Sequence, residues 1–381
     1  MHNGNNLRRA VELMANRLQR WQVSYVLKPV LLGMLAVFLA VACGGKTANN
    51  LTNDQNQPLS HSAQNQCQTI EHDFGKTEVC RQPQKVAVLG SNMLETILAL
   101  QVQPVGYADY LSFHRADFDR PSRQIPYLGR RVTSQPINLG TSGEPSLEAL
   151  TRLKPDLILG NVEQHRDKYA LLSKIAPTLL FRWARQGVDW QPSFQVIARA
   201  LGRTEQAQKV IEVHNQQLAV TREKLAPVVA AHPTVLMLDT NGLNQYLQLS
   251  GSASPCGRLI DKLGFRLVSF NKQKMQSSYQ RVSLENLPQF ESDLIVVEGY
   301  DFSQPEQLAD AKNIETHQLQ GIKQEWSENA IAQSLPASQE GRVYFVSSYL
   351  CNGLPGPIGA EIFLDELQKQ LLPEDAKSGE S

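Results

Sequence analysis

Residues 144–160 read Glu-Pro-Ser-Leu-Glu-Ala-Leu-Thr-Arg-Leu-Lys-Pro-Asp-Leu-Ile-Leu-Gly. Positions 146–153 have the spacing of a helix, and positions 154–160 carry the short apolar run Leu-Ile-Leu-Gly after Lys-Pro-Asp, the mark of a buried strand. The same alternation extends in both directions. Upstream, Lys85-Val-Ala-Val-Leu-Gly is a buried-strand pattern, then a helix is predicted from about Asn92, as N-cap, through Met93, Ile97 and Leu100, and Pro104-Val-Gly-Tyr is the next strand. Downstream, a helix over 169–175 precedes the strand Ala176-Pro-Thr-Leu-Leu-Phe. Strand and helix in strict alternation make a mostly parallel sheet, so this half is an α/β lobe.

From Pro192 the pattern becomes helical, with a break near Gly202. Ala207, Val210, Ile211, His214, Leu218 and Leu225 recur at three, four and seven, giving one apolar face for about five turns. Alternation then restarts with Pro233-Thr-Val-Leu-Met-Leu, a helix over 256–263, a short helix over 284–287, Asp293-Leu-Ile-Val-Val, Arg342-Val-Tyr-Phe-Val and a closing helix over 359–371. The predicted division is an N-terminal α/β lobe over 67–190, a connecting helix over 191–226, a C-terminal α/β lobe over 227–373 and a tail over 374–381. A single stiff helix between lobes implies modest domain motion.

The first 66 residues have a different character. Arg8, Arg9, Arg17, Arg20 and Lys28 precede the apolar run Leu35-Ala-Val-Phe-Leu-Ala-Val-Ala-Cys43, which Gly44-Gly45 and a polar stretch follow. That is the order of a secretory signal ending at a lipid-modified cysteine: signal peptide over 1–42, lipidation at Cys43, flexible linker over 43–66. Ala40 stands three places before Cys43, with Leu39 one place earlier, and either Met1 or Met14 could serve as the start. An uncleaved signal anchor is the alternative, and in both cases the body is extracytoplasmic.

The chain carries 37 basic and 37 acidic residues. Removing 1–42 takes away five basic residues and one acidic, leaving 32 against 36, so no nucleic-acid partner is expected. Beyond Cys43 four cysteines remain. Cys67 and Cys80 frame two short strands around Asp73-Phe74-Gly75-Lys76, a hairpin that would bring them face to face as a disulfide. Cys256 and Cys351 either pair or stay as buried thiols. There is no phosphate-cradling glycine pattern, no Gly-x-Ser-x-Gly elbow, no paired-cysteine metal motif and no His-Glu-x-x-His. The histidines are scattered, and His214, on the apolar stripe, reads as a satisfied core histidine. The reading is therefore neither an enzyme nor a metal-centre protein, with no cofactor. Without heptads or repeats a monomer is expected.

Ile70-Glu-His-Asp-Phe-Gly-Lys-Thr-Glu-Val, Pro83-Gln-Lys-Val-Ala-Val-Leu, the 144–160 stretch, Tyr169-Ala-Leu-Leu-Ser-Lys-Ile-Ala-Pro-Thr and Gly341-Arg-Val-Tyr-Phe-Val occur in order. Together they resemble the substrate-binding proteins of ABC importers for iron-siderophores and cobalamin, of the helical-backbone class, most closely the cyanobacterial ferric-siderophore or ferric-citrate type. The resemblance spans about 66–372. It implies two Rossmann-like α/β lobes joined by one long helix, a ligand cleft between them, and one exposed glutamate per lobe docking on arginines of the membrane permease. By motif these are Glu148 and Glu285. Each is equally an ordinary first-turn glutamate favoured by the helix dipole.

The implied function is capture of a ferric-siderophore or ferric citrate and its delivery to an ABC permease and its ATPase, from a lipid anchor on the membrane. Cobalamin or haem is the alternative ligand, and direct zinc or manganese binding is a more distant one. An anionic chelate calls for guanidinium groups and aromatic walls at the carboxyl ends of strands. The candidates there are Tyr107, Tyr110, Arg182, Trp183, Asn241, Tyr246, Tyr300 and Tyr349, with Arg130 and Arg131 added by the resemblance. Arg182 reads alternatively as a solvated loop arginine. Arg281 serves either the ligand or Glu285.

Overall fold

The computed structural model describes residues 67–109, 116–182, 188–269, 278–301 and 311–372. It begins with an antiparallel hairpin, β1 (Cys67–His72) and β2 (Gly75–Cys80), in which Cys67 lies opposite Cys80 and the two are joined as a disulfide. The hairpin is fastened to the edge of the first sheet by Thr77 Oγ1, which donates to the Thr178 carbonyl at 3.0 Å, and by His72 Nδ1, 3.3 Å from the Leu180 carbonyl oxygen.

That sheet has five parallel strands: β3 (Val86–Leu89), β4 (Pro104–Asp109), β5 (Ile137–Thr141), β6 (Leu157–Asn161) and β7 (Thr178–Phe181), in the order β5-β4-β3-β6-β7. Residues 144–160 show how it is built. Ser146 Oγ accepts from Ala149 N and starts the Leu147–Leu153 helix. Lys154, left-handed at φ 48°, and Pro155 end it, because proline cannot supply the next helical amide. Asp156 Oδ2 then accepts from the amides of Gln84 and Lys85 at 3.0 and 2.9 Å, which sets the start of β6 beside the start of β3. The helix expected from Asn92 begins instead at Gly90 and runs over Ser91–Ala99. Gly90 sits at φ 119°, which favours glycine, and Asn92 is spent on Asn161 rather than on capping.

The connection also differs from expectation. The Trp190–Ala200 helix buries Phe194, Ile197, Ala198 and Ala200 in the first lobe's core, so it belongs to that lobe. After a turn at Gly202 (φ 65°) the 28-residue helix Thr204–Ala231 makes the connection, about 42 Å long at 1.5 Å per residue, and it passes Pro227 without ending.

The second sheet contains β8 (Thr234–Gly242), β9 (Tyr246–Ser250), β10 (Arg266–Leu267), β11 (Tyr279–Arg281), β12 (Leu294–Gly299) and β13 (Val343–Ser347), in the order β11-β9-β8-β12-β13 with β10 beside β8. β8, β10, β12 and β13 run parallel, and β9 and β11 add an antiparallel edge. Neither β9 nor β11 was predicted, nor were the helices Ala311–His317 and Gln320–Glu328. The closing helix, Pro357–Leu371, buries Phe363, Leu364, Leu367 and Leu371 in the second lobe. The segment before it crosses over: Tyr349, Leu350 and Leu354, with Ile358 of the helix's first turn, pack into the first lobe's core. Cys351 in that segment is bonded to Cys256 of the Pro255–Lys262 helix. Among the described residues no helix is long and apolar enough to cross a membrane.

Candidate ligand site

The carboxyl ends of the first lobe's strands gather buried polar groups that hold one another. Asn92 Nδ2 donates to Asn161 Oδ1 at 2.7 Å, and His165 Nε2 lies 2.6 Å from the Ser142 carbonyl oxygen while its Nδ1 sits 2.9 Å from Asn161 N. Burial pushes His165 below the ordinary imidazole range, so it remains neutral in this set. Tyr107 has no exposed surface, and its hydroxyl donates to Asp109 Oδ1 at 3.0 Å. It is a core residue rather than the ligand contact expected of it, because its ring packs in the first lobe's core, 5.2 Å from that of Phe118.

The second lobe presents a more open rim. Tyr246, at the start of β9, lies opposite Gly242 at the end of β8, and Arg281 pairs in register with Gln248. This register brings the Arg281 guanidinium over the Tyr246 ring, 5.6 Å from its centroid. Arg281 is thus engaged by an aromatic face. Tyr300 donates its backbone N–H to the Thr240 carbonyl at 3.0 Å, placing it beside Asn241, whose buried Oδ1 has no hydrogen-bond partner. Three expected residues, Asn241, Tyr246 and Tyr300, therefore share one rim with Arg281. Behind them Asp239 is fully buried, accepting from Ser348 Oγ at 2.9 Å and Gln248 Nε2 at 2.7 Å.

The remaining candidates are dispersed. Arg182 is exposed at the end of β7 and its N–H donates to Asp73 Oδ2 at 2.6 Å, next to the hairpin turn. Tyr349 is buried at the seam between the lobes, not in an open cleft, because the chain leaving β13 turns into the first lobe's core. Arg130 and Arg131 belong to the first lobe and do not join the second-lobe rim. The Gly129–Arg131 turn brings them to the start of β4, where the Arg131 carbonyl accepts from Gln103 Nε2 and its Nη2 bonds Glu361 at 3.2 Å. Arg130 lines a cleft of about 170 Å³ with Tyr127, Lys312 and Glu315. Tyr110, Trp183 and Cys43 lie outside the described residues.

Glu148 stands on the first turn of the Leu147–Leu153 helix, exposed and 3.7 Å from Arg152. Glu285 is exposed on the first turn of the 3-10 segment Leu284–Gln289. His214 is buried against the edge of Trp190 at 5.4 Å, but its Nδ1 has no hydrogen-bond partner, so it is a core histidine without the satisfaction expected of one. The two groups of potential metal ligands among the described residues, Cys67, Glu78 and Cys80 and then Cys256, Glu298 and Cys351, both use cysteines already joined as disulfides. Sequence reasoning left the Arg281–Tyr246 stack unresolved, since only the β9–β11 register brings the two residues together.

Two α/β lobes joined by a helix, with polar and aromatic groups at the carboxyl ends of their strands, define a two-lobed binding protein. Residues 86–350 match the periplasmic binding protein family, and the chain belongs to it. It is 26% identical over 354 residues to the putative ABC transporter substrate-binding lipoprotein YhfQ of Bacillus subtilis, covering 90% of this chain and 97% of that one. It is 28% identical over 317 residues to the Fe(3+)-citrate-binding protein YfmC of the same organism, covering 82% and 88%. Its fold is similar to that of Staphylococcus aureus SirA, crystallised with staphyloferrin B, with a TM-score of 0.61 and 22% identity over 80% of this chain and 98% of that one.

Proposed function

We propose that the chain is the substrate-binding component of an ABC importer that captures a ferric chelate of the siderophore or citrate kind outside the cytoplasm. It hands this ligand to a membrane permease and its ATPase, and a lipid on Cys43 tethers it to the membrane. The observation that carries the ligand class is the rim of the second lobe, where Arg281 lies over Tyr246 beside Asn241 and Tyr300. A guanidinium held by an aromatic face presents its remaining N–H donors to an oxygen-rich anion, and phenol rings give it apolar walls. The relatives named as an Fe(3+)-citrate-binding protein and as a probable siderophore-binding lipoprotein, both of Bacillus subtilis, support this reading. Arg182 remains the first-lobe candidate contact, and Glu148 and Glu285, one exposed on each lobe, remain the candidate permease contacts. The iron arrives already chelated, so the protein itself supplies no metal ligands, and a monomer suffices.

The test is a fluorescence titration of the mature protein. Trp190 is half-buried where the first lobe meets the connecting helix and Trp326 is buried in the second core. Ferric citrate, ferric hydroxamates and ferric catecholates are compared with their iron-free forms, cobalamin, haem and zinc. Saturable quenching by one ferric chelate, much weaker without iron, is the expected result. Quenching by cobalamin or haem alone would keep the importer class and replace the ligand.

A further inference from the structure

Glu95 belongs to the Ser91–Ala99 helix of the first lobe and is 1% exposed. Its carboxylate does nothing for its own helix. Oε2 accepts from Gly356 N at 2.9 Å and Oε1 from Gly359 N at 2.7 Å, and both amides open the Pro357–Leu371 helix of the second lobe. That helix has no side-chain cap of its own, since Gly356 stands at the N-cap and Pro357 follows. Its first amides would otherwise be buried without partners. The carboxylate also faces the positive end of the helix dipole.

Gly356 gives an independent sign that the place is reserved. Its φ of −96° suits any residue, yet a Cβ there would lie 2.8 Å from the Glu95 carboxyl carbon and Oε2. Glycine is needed for the carboxylate's room and not for the backbone. The charged groups around the carboxylate come from several elements. Arg131, before β5, acts on it through space and is itself paired with Glu361 on the capped helix. Arg182 and Asp189 line the small cavity that Glu95 shares with Trp190 and Pro355.

We propose that Glu95 is the latch that keeps the two lobes in register, a carboxylate of the first lobe capping the closing helix of the second. The latch is linked to protons. Burial pushes Glu95 up to about 7, against the opposing pull of the Gly359, Gly356 and Ile358 amides and of Arg131. Because the folded value lies above the ordinary 4.5, the folded protein holds a proton that the unfolded chain releases. Stability from this group is complete below pH 4.5, falls as pH rises towards about 7, and is level above that.

Hydrogen exchange of the mature protein at pH 7.5 tests the latch. In Glu95→Ala the amides of Gly356, Ile358 and Gly359 should exchange on the order of tenfold faster, while β8 and β12 keep their protection. Gly356→Ala should reproduce this, because its methyl group displaces the carboxylate. If Glu95→Ala does not fold, Glu95→Gln serves, and it should expose one of the two amides more than the other. Unchanged exchange at 356–359 in a folded variant overturns the latch. The pH profile of the melting temperature gives a second reading: the wild type should lose stability relative to Glu95→Gln between pH 5 and 7, and parallel profiles would overturn the proton linkage.

Discussion

Tyr349, carried by the segment that leaves the second lobe's β13, lies stacked on Tyr127 of the first lobe, with ring centroids 5.7 Å apart and planes 21° from parallel. Beside it Ser91 Oγ donates to the Gly353 carbonyl at 2.9 Å, and the Tyr127 amide donates to Glu315 Oε1 at 2.8 Å. The two lobes therefore share a packed seam in addition to their connecting helix. Tyr349→Ala should cost about 3 kcal/mol, the usual range for emptying a buried aromatic site. Tyr349→Phe keeps the ring and removes a buried hydroxyl that lies near the Ser91 and Tyr107 hydroxyls without meeting either at good hydrogen-bonding geometry, so it should change stability by less than about 1 kcal/mol. Urea unfolding followed by circular dichroism separates the two.

The disulfides close loops of very different length, 13 residues for Cys67–Cys80 and 95 for Cys256–Cys351. Loop-closure entropy makes the longer one more stabilising, by about 2 kcal/mol on the chain-entropy account. The double substitution Cys256→Ala with Cys351→Ala should therefore lower the urea midpoint more than Cys67→Ala with Cys80→Ala. The reverse order would mean that the hairpin governs folding of the first lobe.

Asp293 accepts from both the N–H and the Oγ1–H of Thr234, at 2.9 and 2.6 Å, and these bonds hold its carboxyl below the ordinary 3.8, with Arg342 contributing in the same sense. A depressed value means that the stabilisation exists above pH 3.8 and disappears as pH falls through the lower folded value. Asp293→Asn should cost about 1 kcal/mol at pH 7 and nothing in strong acid. Thermal melts across pH 2–7 read the difference, and a constant penalty at every pH would show that shape rather than charge matters there.

Arg281→Ala should weaken binding of the ferric chelate about tenfold while changing stability by less than about 1 kcal/mol, because an exposed cation over an aromatic ring contributes little to folding. Equal affinity in the variant would remove the second-lobe rim from the ligand site and leave the exit of β7, at Arg182, as the place to look.

Glu148→Gln together with Glu285→Gln should leave ligand affinity and melting temperature unchanged, since both side chains are exposed. Uptake of radiolabelled ferric chelate by cells carrying the double variant should fall, because exposed charges act on partner choice and association rate. Undiminished uptake would return both residues to the ordinary role of first-turn glutamates.

Much of the first lobe was legible because each element there is specified locally. In 144–160 a Ser cap, a proline stop and an apolar run follow one another without help from distant residues, and Asp156 needs only the neighbouring start of β3. The second lobe was less legible. β9 and β11 exist because they pair with each other and with β8, and 279–281 is too short to carry a periodic signal of its own. The site divides in the same way. Strand-exit logic named Asn241, Tyr246 and Tyr300, which the fold gathers on one rim, but Tyr107 and Tyr349 follow the same rule in sequence and are buried. Whether a strand-end side chain meets solvent or a neighbouring loop depends on what the rest of the chain lays over it.

By itself the sequence determined the alternation of strand and helix, the two-lobed α/β class, the hairpin and its facing cysteines, because periodicity and turn residues act over a few positions of chain. Only the tertiary structure decided how the lobes meet. It moved the Trp190–Ala200 helix into the first core, paired Cys256 with Cys351, set Arg281 over Tyr246, and aimed Glu95 at the amides of a helix from the other lobe. Those contacts join residues far apart in sequence, and the free energy that selects them comes from burying surface and satisfying polar groups that no local pattern encodes.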